Sequence, residues 1–256
     1  MSNPVSPVLP IQPNKYNYAL SVLQQPLRAR MCGFGDKDRR PITPPLCVRL
    51  QLFELVTGLE PDISKVDTSF YVLTVELWSS DHSQPLNLVL HPSTQTIIPA
   101  ISRQNLFPPT NSRDCVSYGQ TYAPPGAQHY HNIQTQSSPV AYMRNLIGNL
   151  VGSAFKLTDT DGKLGIWFIF QDLSVRTEGK FTLKFSFYSL GVGQRLNTGK
   201  SPVLAEVFSQ PFTVYSAKRF PGMIESTPLS KCFAAQGIKI PIRKDGAKYR
   251  KEDEEE

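Results

Sequence analysis

Short runs in which apolar side chains alternate with polar ones, each closed by proline, glycine or a polar cluster, constrain this chain more than any other feature. YNYALSVLQQ, CVRLQLFELV, SFYVLTVELW and LNLVL precede residue 91, and LGIWFIFQDL, KFTLKFSFYSL and LAEVFSQPFTVYS follow residue 140. They are rich in β-branched and aromatic residues. A period of two sends one set of side chains to a buried face and the other to solvent, which suits half-buried strands. Pro44 and Pro45, Gly58 with Pro61, and the polar group around Asp81 break the runs at the spacing of a sandwich. RNLIGNLVGSAFKL also reads as strand, and TDTDGK and RTEGK read as hairpin turns that put glycine where φ is positive. Only FAAQG, behind the candidate cap Ser230, reads as helix. The expectation is an all-β fold with very little helix.

Between the two sets, residues 91–140 consist largely of Pro, Ser, Thr, Gln and Asn with almost no acid and no periodicity. Loop-closure entropy grows slowly with length, so such a stretch is tolerated as a disordered insert between strands of one sheet system. Residues 1–14, rich in proline, read as a disordered arm because they offer too little apolar surface to offset ordering. The expected organisation is therefore an arm at 1–14, one domain over 15–246 interrupted at 91–140, and a charged tail at 247–256.

The formal net charge is +6, yet the last five residues, Glu252, Asp253, Glu254, Glu255 and Glu256, are all acidic. Without them 27 basic residues face 16 acidic ones, a balance of +11. A body that basic favours a polyanionic partner such as nucleic acid. Cys32, Cys47, Cys115 and Cys232 lie far apart without a CxxC pair and read as free thiols of a reducing compartment. With no glycosylation sequon, no secretory leader and no apolar run near the roughly 20 residues of a membrane span, the expectation is a soluble intracellular protein with no membrane partner.

Catalysis finds little support. His82, His91, His129 and His131 are the only histidines, and no GxSxG, HExxH or Walker pattern accompanies them. HYH at 129–131 lacks the cysteine pair or carboxylate that would complete a metal site. TDTDG at 158–162 has a calcium-loop look, but the twelfth position counted from Asp159 is Phe170 instead of glutamate. GVGQRLNTGK at 191–200 lacks the frame of a phosphate loop and reads as a flexible connection between strands. No catalytic residue, metal ligand or cofactor is assigned.

The informative segment is QQPLRARMCGFGDKDRRPITPP, where Arg28, Arg30, Lys37, Arg39 and Arg40 fall within thirteen residues between prolines. Guanidinium groups match phosphates and guanine edges in bidentate geometry, and Gly33 and Gly35 let the backbone bend close to a duplex. Such a loop is expected outside the core, with Asp36 and Asp38 pairing some of the cations. A plain surface salt-bridge loop fits the same composition. A second basic group comprises Lys218, Arg219, Lys231, Lys239, Arg243 and Lys244. It would form a stripe with the first if the loops meet at one end of the sandwich, and it reads equally as a nuclear import signal or a solvated face.

QQPLRARMCGFGDKDRRPITPP, DTSFYVLTVELW, NLIGNLVGSAFKLTDTDGKLGIWFIFQDLSVRTEGKFTLKFSF and VFSQPFTVYSAKRFPGMIESTPLSKCFAAQGIKIPIRKDG strongly resemble the fungal velvet family, its VelB branch above all. The likeness covers residues 16–246 apart from the insert, and a Pro- and Gln-rich insertion is itself a feature of that branch. The resemblance implies an immunoglobulin-like β-sandwich similar to the Rel-homology domain of NF-κB, found in nucleus and cytoplasm. It further implies binding to double-stranded promoter DNA as a homodimer or as a heterodimer with VeA-like or VosA-like velvet proteins. A LaeA-like methyltransferase would be reached through the VeA-like partner, and the complexes would govern sporulation and secondary metabolism. The family's DNA-contacting basic region falls on Arg28, Arg30, Lys37, Arg39 and Arg40. Leu46 stands where a further proline is usual, and the insert is shorter, so affinity and partner choice are open to change. The alternative is a scaffold that touches no DNA and stabilises another velvet protein.

Overall fold

The computed structural model describes residues 15–35, 39–91, 141–192 and 195–243. In chain order the strands are β1 (Tyr16–Gln24), β2 (Arg28–Arg30), β3 (Leu46–Glu54), β4 (Tyr71–Ser79), β5 (Leu88–Leu90), β6 (Tyr142–Arg144), β7 (Leu146–Ile147) and β8 (Val151–Ser153). They continue with β9 (Phe155–Thr158), β10 (Leu164–Phe170), β11 (Ser174–Val175), β12 (Gly179–Ser189), β13 (Gly191–Val192), β14 (Arg195–Leu196), β15 (Ala205–Phe208) and β16 (Phe212–Tyr215). One 3-10 turn (Ile63–Lys65) and one helix, α1 (Pro228–Ala235), complete the described elements. The expected arm, nearly all of the insert and the tail lie outside the described residues. The chain divides into two units, Leu90–Met143 and the remainder, and the architecture below is that of the larger one.

Two sheets make a sandwich. One has the order β1-β3-β10-β9, the other β2-β16-β12-β4-β8 with β15 pairing β12 as well. Alternation does the sorting. Leu46, Val48, Leu50 and Leu52 of β3 are buried inward at every second position, as are Leu73, Val75 and Leu77 of β4 and Phe181, Leu183, Phe185 and Phe187 of β12. Rings interlock between the sheets, with Phe168 against Phe187 at 6.0 Å and Phe170 against Phe185 at 5.5 Å. The result is an all-β sandwich with one apolar core between its sheets.

The four-stranded sheet buries its other side too. Cys47, Trp167, Ile169 and Leu157 form a second apolar cluster, covered by Phe233 of α1 and by Ile240. Trp167 Nε1 donates to the Leu157 carbonyl at 3.1 Å, and the Phe233 ring meets the indole edge-on at 4.9 Å. Burial pushes the Cys47 thiol up to about 12, so it stays protonated and inert. Cys32, Cys47 and Cys232 are free thiols, and Cys115 lies outside the described residues.

Three local expectations are corrected. The helix begins at Pro228 and its cap is Thr227, whose Oγ1 accepts from Ser230 N at 3.1 Å, because proline suits the first helical position and the residue before it is extended. Ser230 is instead a buried first-turn residue, and FAAQG is the end of the helix. RTEGK is no hairpin. β11 pairs β7 while β12 pairs β4, β15 and β16, so these residues carry the chain from one sheet to another. RNLIGNLVGSAFKL splits into β7, β8 and β9, each serving a different sheet. Gly148 permits the first break, with φ at +112° and no room for a side chain beside the Asp172 carbonyl. TDTDGK does turn a hairpin between β9 and β10, closed by Asp159 Oδ1 accepting from the Asp161 and Lys163 amides at 3.0 and 2.9 Å. Residues 191–200 hold the small β13–β14 pair, with 193–194 outside the described residues.

Candidate functional site

The basic segment is less loop-like than its composition predicts. Gln24 anchors its start: the side chain donates to Ser230 Oγ at 2.8 Å and to the Pro45 carbonyl, and accepts from Thr227 Oγ1. Further on, Arg28–Arg30 forms strand β2, which pairs in parallel with β16 at the edge of the six-stranded sheet. Ala29 is fully buried, and Ile42 and Thr43 further along are buried as well, so the segment contributes to the core it was expected to avoid. An arginine on each side of a buried alanine is the alternation of a strand, which puts Arg28 and Arg30 together on the outer face.

Beyond β2 the backbone is pinned residue by residue. Met31 N donates to the Tyr215 carbonyl at 2.8 Å, Cys32 N to that of Val175 at 3.0 Å, and Gly33 N to that of Arg176 at 3.1 Å. Arg176, only 8 % exposed, is the clasp: Nη1 donates to the Gly33 carbonyl at 2.8 Å and Nε to the Arg144 carbonyl at 3.0 Å. Gly33 takes a φ of +64°, which glycine adopts without strain.

The candidate cations then divide. Arg28 carries no side-chain hydrogen bond or ion pair among the described residues. Arg39 is held by Asp172, donating to its carboxylate and carbonyl, while Arg39 Nε donates to Ser174 Oγ at 3.2 Å. Arg40 is exposed, and its carbonyl accepts from Ser174 Oγ at 3.0 Å. Lys37, together with Asp36 and Asp38, lies outside the described residues. The Arg39–Asp172 pair fastens the second half of the segment to the chain between β10 and β11, so Arg39 reads as a positioning residue more than as a presented charge.

The second group does not behave as one patch. β2 and β16 run parallel, so the residues after Arg30 and after Tyr215 leave at the same end of the sheet, and Lys218 and Arg219 join the first segment there. Arg219 is paired with Glu178 at 2.8 Å, whereas Lys218 is exposed and unpaired among the described residues. Arg243 reaches the segment from another side, lining a shallow cavity with Pro41, Ile42 and Pro45. Lys231 and Lys239 belong to the stretch around α1 over the four-stranded sheet, and Lys231 is paired with Glu225 at 2.6 Å. Lys244 lies outside the described residues.

Two cations escape any reading of the sequence by charge clusters. Arg144 is exposed, and its carbonyl shares the Arg176 clasp with Gly33. Lys180 stands exposed on β12, directly across from Thr213, whose other neighbour is Arg28. Strand pairing and the clasp bring them in. No group of three or more His, Cys, Asp or Glu side chains among the described residues converges as a metal site. No described helix is long and apolar enough to cross a membrane.

The described residues form an all-β sandwich whose six-stranded sheet carries Arg28 and Arg30 on its edge strand β2. A family model described as "Velvet factor" matches residues 18–246. A velvet complex protein of Aspergillus flavus is 46% identical over 286 residues, covering 90% of this chain and 79% of the relative. Its counterpart in Emericella nidulans is 44% identical over 292 residues with the same coverage, and velvet complex subunit RYP3 of Ajellomyces capsulatus is 44% identical over 296. The chain belongs to the velvet factor family, and it matches these velvet complex members over most of its length. The alignments are longer than the 256 residues of the chain, so the relatives carry additional residues within the aligned span.

Proposed function

We propose that this protein is a velvet-domain transcriptional regulator that binds duplex promoter DNA through the β2 edge and acts as a homodimer or a heterodimer with another velvet protein. The observation that carries the reading is the strand at Arg28–Arg30. A buried alanine fixes the backbone and sets two half-exposed arginines at the outward positions of one strand, so the backbone that carries them is already ordered when a phosphate is met. Cations at Arg28, Arg30 and Arg40 neutralise phosphates, Lys37 extends the series, and Arg39 holds the segment in place. The relatives are named as subunits of a velvet complex, which supports association with other velvet complex proteins. In this reading the partners are VeA-like and VosA-like proteins, and a LaeA-like methyltransferase is reached through the former. Control of sporulation and secondary metabolism from nucleus and cytoplasm completes the reading.

One observation favours the scaffold alternative: Arg39 and Arg219 are both satisfied by carboxylates of the same chain, which lowers the free charge available to DNA. A gel-shift titration separates the two. The full chain alone, then with a purified velvet partner, is expected to retard a promoter duplex, with Arg28→Ala weakening it several-fold. If the partner alone shifts the duplex and adding this chain changes neither affinity nor salt dependence, the scaffold reading replaces the first.

A further inference from the structure

We infer that the duplex-contacting surface continues from the β2 edge across the outer face of the six-stranded sheet to Lys180, and stops before Lys184. This rests on the DNA-binding reading above and assigns it a residue that no charge cluster along the chain reveals. Arg28, Thr213 and Lys180 occupy one row across β2, β16 and β12. Their inward neighbours Ala29, Val214 and Phe181 are buried, so all three side chains share the outer face. Two strand spacings, about 10 Å, separate the backbones that carry the two cations, between the widths of the minor and major grooves of B-DNA.

Charge balance sharpens the boundary. The acid nearest in sequence to Lys180 is Glu178, and Arg219 already takes it at 2.8 Å. Lys180 itself has no ion pair or side-chain hydrogen bond among the described residues and is exposed. Lys184, the second outward position further along the same strand, is its opposite. It is bound to Glu206 at 2.8 Å and lies over the rings of Trp78 and Phe208 at 5.3 and 6.0 Å. One lysine is left to a polyanion, and the other is spent inside the protein.

Non-sequence-specific binding isolates the phosphate contribution, so the probe is a fluorescently labelled random duplex of about 20 base pairs titrated with the full chain at several salt concentrations. Lys180→Gln is expected to lower the slope of log affinity against log salt by about 0.9 and to weaken low-salt binding several-fold, as one lost phosphate contact does. Lys184→Gln is expected to leave the slope unchanged. Lys180→Thr, a better strand former, should repeat the Lys180→Gln result and guards against a folding artefact. If both Lys180 variants, folded by circular dichroism, keep the wild-type slope while Arg28→Gln lowers it, the surface ends at the edge and the inference is wrong. If the wild type shows no salt-dependent binding at all, the DNA-binding reading falls and takes this inference with it.

Discussion

On the outer face of the four-stranded sheet, Cys47, Trp167 and Ile169 make an apolar strip that the chain itself seals with α1 and Ile240. On the outer face of the six-stranded sheet, Arg28, Thr213 and Lys180 stand half-exposed or exposed. The same pleated alternation produced both faces, and only the residue types at the outward positions differ. A strip of large apolar groups is a liability in water and must be covered. A row of cations is stable when bare, and it acquires a use only against a partner of opposite charge. The C-terminal segment therefore reads as structure where it covers the first sheet, and the β2 edge reads as the face left for recognition.

The largest expected effect falls on the covered face. Phe233→Ala empties a fully buried ring site beside Trp167 and is expected to cost about 3–5 kcal/mol in denaturant unfolding, while the salt slope of DNA binding per folded molecule stays at the wild-type value. A change in that slope would mean that the two faces are not independent. Thr227→Ala removes the helix cap and leaves the side-chain amide oxygen Oε1 of buried Gln24 without this donor, for a loss of about 1–2 kcal/mol in the same unfolding measurement. Smaller again is the Arg39–Asp172 pair. Its side chains are 33% and 49% exposed, so a double-mutant cycle with Arg39→Gln and Asp172→Asn should return about 0–1 kcal/mol, and Arg39→Gln should loosen hydrogen-exchange protection over residues 39–43. A coupling well above that range would make the pair part of the core rather than a surface latch.

The smallest effect is a pH dependence on the bare face. The Lys184 ammonium, with help from Ser186 Oγ, holds the Glu206 carboxyl below the usual carboxylate range. The folded state therefore prefers the ionised form. Its contribution is present above the ordinary glutamate value and is lost as pH falls through the lowered one. Glu206→Gln should flatten the acid limb of the thermal-stability profile slightly, with no change near neutrality beyond the loss of one exposed pair. An unchanged acid limb would show that Lys184 is not committed to Glu206, and that the boundary of the basic surface is drawn too early.

The strands are legible in the sequence wherever one face is buried and the other wet. YNYALSVLQQ, SFYVLTVELW and KFTLKFSFYSL become β1, β4 and β12 almost in full, because period-two burial writes itself into the order of residues. The helix start is also written there, in Thr227–Pro228, but Ser230, another good capping residue three positions on, competes with it as a signal. The cross-sheet steps at Gly148 and after Val175 cannot be read that way, since a turn between sheets and a hairpin turn use the same residues. For the site, clustering along the chain finds Arg28 and Arg30 but gives no hint that a strand presents them. Lys180 and Arg144 are invisible for a simple reason: register and the Arg176 clasp bring them in, and neither is a local property of sequence.

Hydrogen–deuterium exchange of the full chain with and without a duplex tests the contrast between the two faces most directly. The expected result is added protection over residues 28–33, 179–181 and 216–219, with no change over 228–240. Protection confined to 228–240, with the β2 edge exchanging as in the free protein, would contradict the assignment of the bare face to DNA.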